Sequence, residues 1–250
     1  MNRKLVAALA CRNQGSRLYG KPLQNLDVEN GIRIIDNIIE VLKKLSCIDS
    51  IVLGISEGKE NEIFKTLAEE NNLKYIVGDQ NDVLHRLILC CKKVNGTDVF
   101  RITSESPFLY FQAVENLWKQ HCNQLNDATF FEDIIDGCGF EFIKLKALEL
   151  SHKKGNKRHR SELCTLYIRE NFNDFKVKKI KAPGRLNRRD LRLTVDNPED
   201  LVVCRKIYDN FKHQAPLINL EEIIEFLDEN KDLKDLIYPF TIQGYNTMYI

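Results

Sequence analysis

The stretch "KLVAALACRNQGSRLYGKPL", residues 4–23, constrains this chain more than any other. Residues 5–10 are apolar without alternation, the mark of a strand buried on both faces as in a mostly parallel sheet. The chain then places Arg12, Gly15, Ser16, Arg17, Gly20 and Lys21 within ten residues. A turn at the carboxyl end of a first parallel strand is where open α/β sheets bind ligands. Glycines let backbone amides approach an anion, and guanidinium forks and an ammonium neutralise phosphate charge. The spacing is neither G-x-G-x-x-G nor G-x-x-x-x-G-K-[ST], so neither a dinucleotide fingerprint nor a P-loop is present. A polyphosphate loop and an ordinary basic glycine loop are both open on these residues alone.

Short β-rich runs alternate with amphipathic stretches along the rest of the chain, which predicts an α/β fold, a Rossmann-like mostly parallel sheet with flanking helices. Strands are expected at 51–55, 75–77, 98–103, 128–132, 140–143, 175–180 and 190–196. Helices are expected at 32–45, 60–71, 112–121, 145–151 and 162–170, and from Asn81 or Asp82 through Val94. Asn197 and Pro198 open another helix, and the tail from Asn219 adds one more before its periodicity fades. A strand at 98–103 stops at "SESP", where proline ends the ladder.

With 250 residues and 43% hydrophobic content, one domain over the whole chain is expected, with a nucleotide half over about residues 1–110 and acceptor or oligomerisation elements over about 127–190. Thirty-seven basic residues against 36 acidic ones give a net charge of +1, so any anion site must be local and nucleic acid is disfavoured as a partner. The eight cysteines show no C-x-x-C spacing and read as reduced core residues of a cytoplasmic protein. No segment approaches membrane-spanning length.

The pattern A-x-R-x-x-G-S-R-L-x-G-K-P-L resembles the signature of the cytidylyltransferases that make CMP-sugars, namely the acylneuraminate and 3-deoxy-manno-octulosonate enzymes and, most closely, the spore-coat polysaccharide group. Further stretches keep the same order: "GDQNDVLHR", "FRITSESP", "GFEFIKLKALE", "TLYIREN" and "LRLTVDNPEDL". The resemblance spans about residues 5–211 and implies a glycosyltransferase-A-like nucleotidyltransferase fold, CTP as partner, Mg2+ as cofactor and pyrophosphate as product. It implies that Arg12, Ser16, Arg17 and Lys21 hold the triphosphate, with Arg12 and Lys21 catalytic and Gly15 in the same loop. Backbone near Leu9 and Ala10 is then beside the base, and Asp82 and Arg86 help enclose the nucleotide. An intrahelical Asp82–Arg86 ion pair is the plainer alternative.

Glu105 and Asp196 each follow an expected strand, and the resemblance places the metal carboxylates there. Two hard oxygen donors beside a triphosphate suit magnesium. Glu105 departs from the family, which has aspartate in that position. The expected reaction is attack of an acceptor oxygen on the α-phosphorus of CTP with loss of pyrophosphate. His85 and His159 are general-base candidates by residue type only.

The acceptor is expected to be an anionic sugar or a phosphorylated small molecule, with Asp136, Glu141 and Glu162 as candidate contacts. The basic runs at 153–160 and 185–189 would attract it if they face the loop. Gly139 and Leu163 stand where the family has aspartate and histidine, so acceptor specificity transfers less well than the nucleotide site. A homodimer is the expected assembly. Two rivals follow: a catalytically weak nucleotide-binding paralogue, and an enzyme using another nucleoside triphosphate with a sugar 1-phosphate.

Overall fold

The computed structural model describes residues 3–248. Strand β1 (Leu5–Cys11) runs through the glycine loop and a 3-10 turn (Lys21–Leu23) into a hairpin, β2 (Asn25–Asp27) and β3 (Ile32–Arg33), then helix α1 (Ile34–Lys43). There follow β4 (Ser50–Ser56), α2 (Ile63–Glu70), β5 (Lys74–Gly78), α3 (Val83–Lys93) and β6 (Asp98–Arg101). The second half comprises α4 (Val114–Asn123), β7 (Ala128–Glu132), β8 (Phe140–Lys144), α5 (Leu145–Lys154), α6 (Lys157–Arg160), α7 (Leu166–Glu170) and β9 (Val177–Lys181). Helices α8 (Pro198–Phe211), α9 (Leu220–Glu229) and α10 (Lys231–Met248) close the chain.

Seven of these strands form one sheet in the order β5-β4-β1-β6-β8-β7-β9. Only β8 runs against its neighbours, antiparallel to both β6 and β7. β1 pairs in parallel with β4 on one edge and β6 on the other, which is why it tolerates no polar residue. Its Leu5, Ala7 and Leu9 pack into one apolar layer, and Val6 and Ala8 into the other. At roughly 25 cal/mol per Å² of apolar surface buried, these two layers supply the main driving force for the fold.

Local signals account for many boundaries. Asp82 caps α3 by accepting a hydrogen bond from the His85 amide at 2.8 Å. At the start of α8 the Asp200 carboxylate accepts from the Asn197 amide at 2.8 Å, with Pro198 at the first helical position. All eight cysteines are free, and six are buried. Among the described residues no helix is long and apolar enough to cross a membrane.

Four expectations need correction. Residues 190–196 are extended but not a ladder strand: the segment makes one isolated bridge, Arg192 to Asp136. Its amides are divided between two loops, Leu193 to the Asp136 carbonyl at 2.8 Å and Val195 to the Glu105 carbonyl at 3.0 Å. The helix expected at 162–170 begins only at Leu166, because the Glu162 carbonyl is taken by Arg101 Nη2 at 2.9 Å instead of a helical amide. Ile32 and Arg33 belong to the β2–β3 hairpin rather than to α1, and the tail carries two helices rather than one.

Candidate active site

The carboxyl ends of β1 and β6 open into a cavity of about 520 Å³. Seven cationic side chains and five carboxylates line it, so the pocket is locally positive in a nearly neutral chain. A site so charged draws in a polyanion.

The loop after β1 forms one wall. Arg12, Gly15, Ser16, Arg17 and Lys21 all face the cavity. The Gly20 amide donates to the Asn13 carbonyl at 2.8 Å, and Gly20 takes φ +60°, a conformation that excludes most side chains. Asn13 is itself anchored, its amide donating to Asn61 Oδ1 at 2.8 Å. This loop is therefore shaped by its own backbone and by a buried asparagine from the turn before α2.

The opposite wall holds Glu105 and Asp196, and the Val195–Glu105 backbone bond brings their segments side by side. Lys21 Nζ lies 2.5 Å from Asp196 Oδ1, and Arg17 Nη2 lies 3.2 Å from the same oxygen. Asp196 Oδ2 pairs with Arg192. Burial pushes the Asp196 carboxyl up, but Lys21, Arg192 and Arg17 outweigh it and hold the group below the usual carboxylate range. Glu105 goes the other way: burial and the charges of Asp196 and Glu162 raise it, against Lys21 and a Ser104 hydrogen bond.

Arg192 is the hub on this side, 2% exposed, with Nη1 2.9 Å from Asp136 and Nε 3.1 Å from Asp200 in addition to Asp196. Burial, with Asp196 and Asp200 nearby, raises the Asp136 carboxyl to about 6 against the pull of Arg192. Gly244 of α10 lines the cavity beside this pair, and any side chain there would meet Arg192 and Asp136. Further along, Glu141 is held between Arg101 at 2.8 Å and Arg169 at 2.7 Å. Those two arginines outweigh burial and keep its carboxyl below the usual range. Phe131 and Phe140, stacked at 5.0 Å, complete the wall.

The cavity thus gathers Ala10, Arg12, Gly15, Ser16, Arg17, Lys21, Arg86, Glu105, Asp136, Glu141, Glu162 and Asp196 from the expected set. It does not gather Leu9 or Asp82. Leu9 is wholly buried in the core. Asp82 caps α3 and contacts His152 Nε2 at 2.7 Å. Arg86 is 1% exposed and donates to the Gly54 carbonyl at 2.8 Å rather than to Asp82. His85 stacks on His152 at 5.1 Å, and His159 is buried against Glu170 at 2.7 Å; neither lines the cavity. The basic runs also lie elsewhere, Lys154 with Asp174, Arg158 with Glu170, Arg185 with Glu221 and Arg188 with Asp228. Sequence reasoning missed Arg101, Arg169 and Arg192, although an arginine within an apolar run, as in "DLRLTV", signals a buried cation that needs partners.

The sequence matches the cytidylyltransferase family over residues 7–239. An uncharacterized protein of Methanocaldococcus jannaschii is 29% identical over 236 residues, 93% of this chain and 94% of that one. The spore coat polysaccharide biosynthesis protein SpsF of Bacillus subtilis is 23% identical over 233 residues, 91% of this chain and 95% of that one. Among solved structures, a cytidylyltransferase from Leptospira borgpetersenii superposes with a TM-score of 0.83 at 19% identity, covering 93% of this chain and 97% of that one. A CMP:2-keto-3-deoxy-manno-octonic acid synthetase complexed with CTP superposes with a TM-score of 0.62 at 14% identity, covering 83% and 99%. The sheet order, the loop after β1 and the match over nearly the whole sequence together make this chain a member of the cytidylyltransferase family, and so a nucleotidyltransferase.

Proposed function

We propose that this protein transfers CMP from CTP to an oxygen of a sugar acid or a phosphorylated sugar, releasing pyrophosphate, to make an activated precursor for surface glycan synthesis. The observation that carries the reading is the confrontation, across one cavity, of the loop cations Arg12, Arg17 and Lys21 with the carboxylates Glu105 and Asp196. The solved relative complexed with CTP and the relative named for spore coat polysaccharide biosynthesis support the nucleotide and the pathway class.

In this reading the three loop cations bind the triphosphate and hold the α-phosphorus in line with the acceptor. The acceptor oxygen forms a new bond to that phosphorus while the bond to the bridging oxygen breaks; the electron pair leaves with pyrophosphate, and where the acceptor is a hydroxyl its proton passes to solvent. Arg12 and Lys21 stabilise the charge that builds on the phosphate oxygens. Asp136, Glu141 and the Phe131–Phe140 wall receive the acceptor.

Glu105 and Asp196 fit a hard divalent cation. Both are hard oxygen donors, and magnesium is an ion commonly bound by one or two carboxylates plus substrate phosphates. When bound, it would polarise the α-phosphate and stabilise departing pyrophosphate.

The test is pyrophosphate release with each nucleoside triphosphate, magnesium and a panel of sugar acids and sugar phosphates. Turnover with CTP and one acceptor class is expected. Turnover with another nucleotide, or tight CTP binding with no turnover on any acceptor, would replace this reading by one of its two rivals.

A further inference from the structure

Oδ1 and Oδ2 of Asp196 have partners of different kinds. Oδ2 pairs with Arg192, a 2% exposed guanidinium fixed by Asp136 and Asp200 as well. Oδ1 instead collects Lys21 at 2.5 Å and Arg17 at 3.2 Å, two side chains that reach over from the glycine loop. These are two of the three loop cations assigned to phosphate above. Arg12 is also paired, with Glu162, but both are well exposed, and a surface pair of that sort is worth little.

Resting on the nucleotide reading, we infer that Asp196 disfavours metal-free nucleotide by holding Lys21 and Arg17, so that nucleotide and divalent cation bind cooperatively. A triphosphate entering alone must draw Lys21 and Arg17 away from Oδ1. It would strip Oδ1 of both its partners and leave Arg192 on Oδ2 as the one cation balancing a carboxylate that lies near Glu105 and faces new anionic oxygens. A divalent cation entering alone must displace an ammonium and a guanidinium from Oδ1, and both then lose their carboxylate partner. When both enter, every charge keeps a partner: the loop cations pass to phosphate and the carboxylate passes to the ion. Such an exchange is a coupling free energy between two ligands, and it is reciprocal.

Calorimetric titration of the full-length protein with CTP, in Mg2+ and in a chelator, tests this without any acceptor. Wild-type protein is expected to bind CTP at least about tenfold more tightly with Mg2+, within the usual range of coupling between two ligands. Asp196→Asn frees Lys21 and Arg17, so it should tighten chelator-condition CTP binding about fivefold and reduce the Mg2+ effect to less than about threefold. Lys21→Gln should weaken CTP binding in Mg2+ while altering it less than about twofold in chelator, because Asp196 already withholds that lysine. Equal weakening by Lys21→Gln in both conditions would overturn the inference. So would Asp196→Asn binding free CTP no better than wild type at an unchanged melting temperature; if that variant melts early, the Lys21→Gln comparison decides. Failure of the wild type to bind CTP in either condition would instead sink the nucleotide reading beneath it.

Discussion

The two ends of β6 lie beside carboxylates with opposite fates. At its start, Asp98 is fully buried and satisfied, with Arg3 Nε at 2.9 Å, Thr97 Oγ1 at 2.7 Å and His121 Nε2 at 3.3 Å. His121 continues to Thr129 Oγ1 at 2.7 Å, so this end is closed by a hydrogen-bonded network. Just past the other end, Glu105 and Asp196 face open space, and their charge is balanced by side chains that a ligand could take. The strand's amino end is a structural clamp; its carboxyl end, in the function proposed above, is a set of charges that exchanges partners with a polyanion. Burial of charge is common to both, and what separates them is whether every partner is permanent.

The largest effect is expected at the clamp. Asp98→Ala strands Arg3 and His121 without their anion and should cost about 3–5 kcal/mol in denaturant unfolding, as for other broken buried pairs. Affinity for CTP in Mg2+ should stay within about twofold in the fraction that remains folded, since the clamp lies at the far end of the strand. A loss of affinity as large as the loss of stability would erase the distinction between the two ends.

Lys21→Ala is the converse. It should weaken CTP binding in Mg2+ by about 10- to 100-fold, or about 1.4–2.8 kcal/mol, with little change in melting temperature. Unchanged affinity would remove the loop from the nucleotide site.

The smallest effect concerns pH, where Asp98 and the cavity carboxylate Asp136 should differ in sign. Arg3, His121 and Thr97 outweigh burial and hold the Asp98 carboxyl below its ordinary value of 3.8. Its stabilisation is therefore present above that value and is lost as pH falls through the folded-state value. Asp136 is raised from 3.8 to about 6, so its folded form binds the proton more readily and its charge burdens the fold above that pH. Asp136→Asn removes this term: relative to wild type, its unfolding free energy should improve by about 1 kcal/mol from pH 5 to pH 7. A difference between the two proteins that does not move with pH would mean that Asp136 titrates normally.

Much of this was legible in the residues. The run at 5–10 read as a doubly buried strand because an apolar sequence without alternation has only that use in a sheet of this kind, and β1 occupies the sheet interior. Asn197 and Pro198 announced α8 through backbone chemistry that operates within one turn. Leu191, Leu193 and Val195 alternate with polar residues and are all buried, yet the segment makes one isolated bridge instead of a ladder. Alternation reports which face is apolar and says nothing about whether a ladder exists.

Local sequence, then, determined the elements and the composition of the glycine loop, because caps, periodicity and turn chemistry act over a few residues. Tertiary structure decided which charges meet. Lys21 and Asp196 are 175 residues apart, and Arg192 draws on Asp136 as well as on its near neighbours. It also decided that His159 and the basic runs turn away from the cavity. Electrostatic partnership depends on distance and burial, and neither is fixed until the sheet has brought its strand ends together.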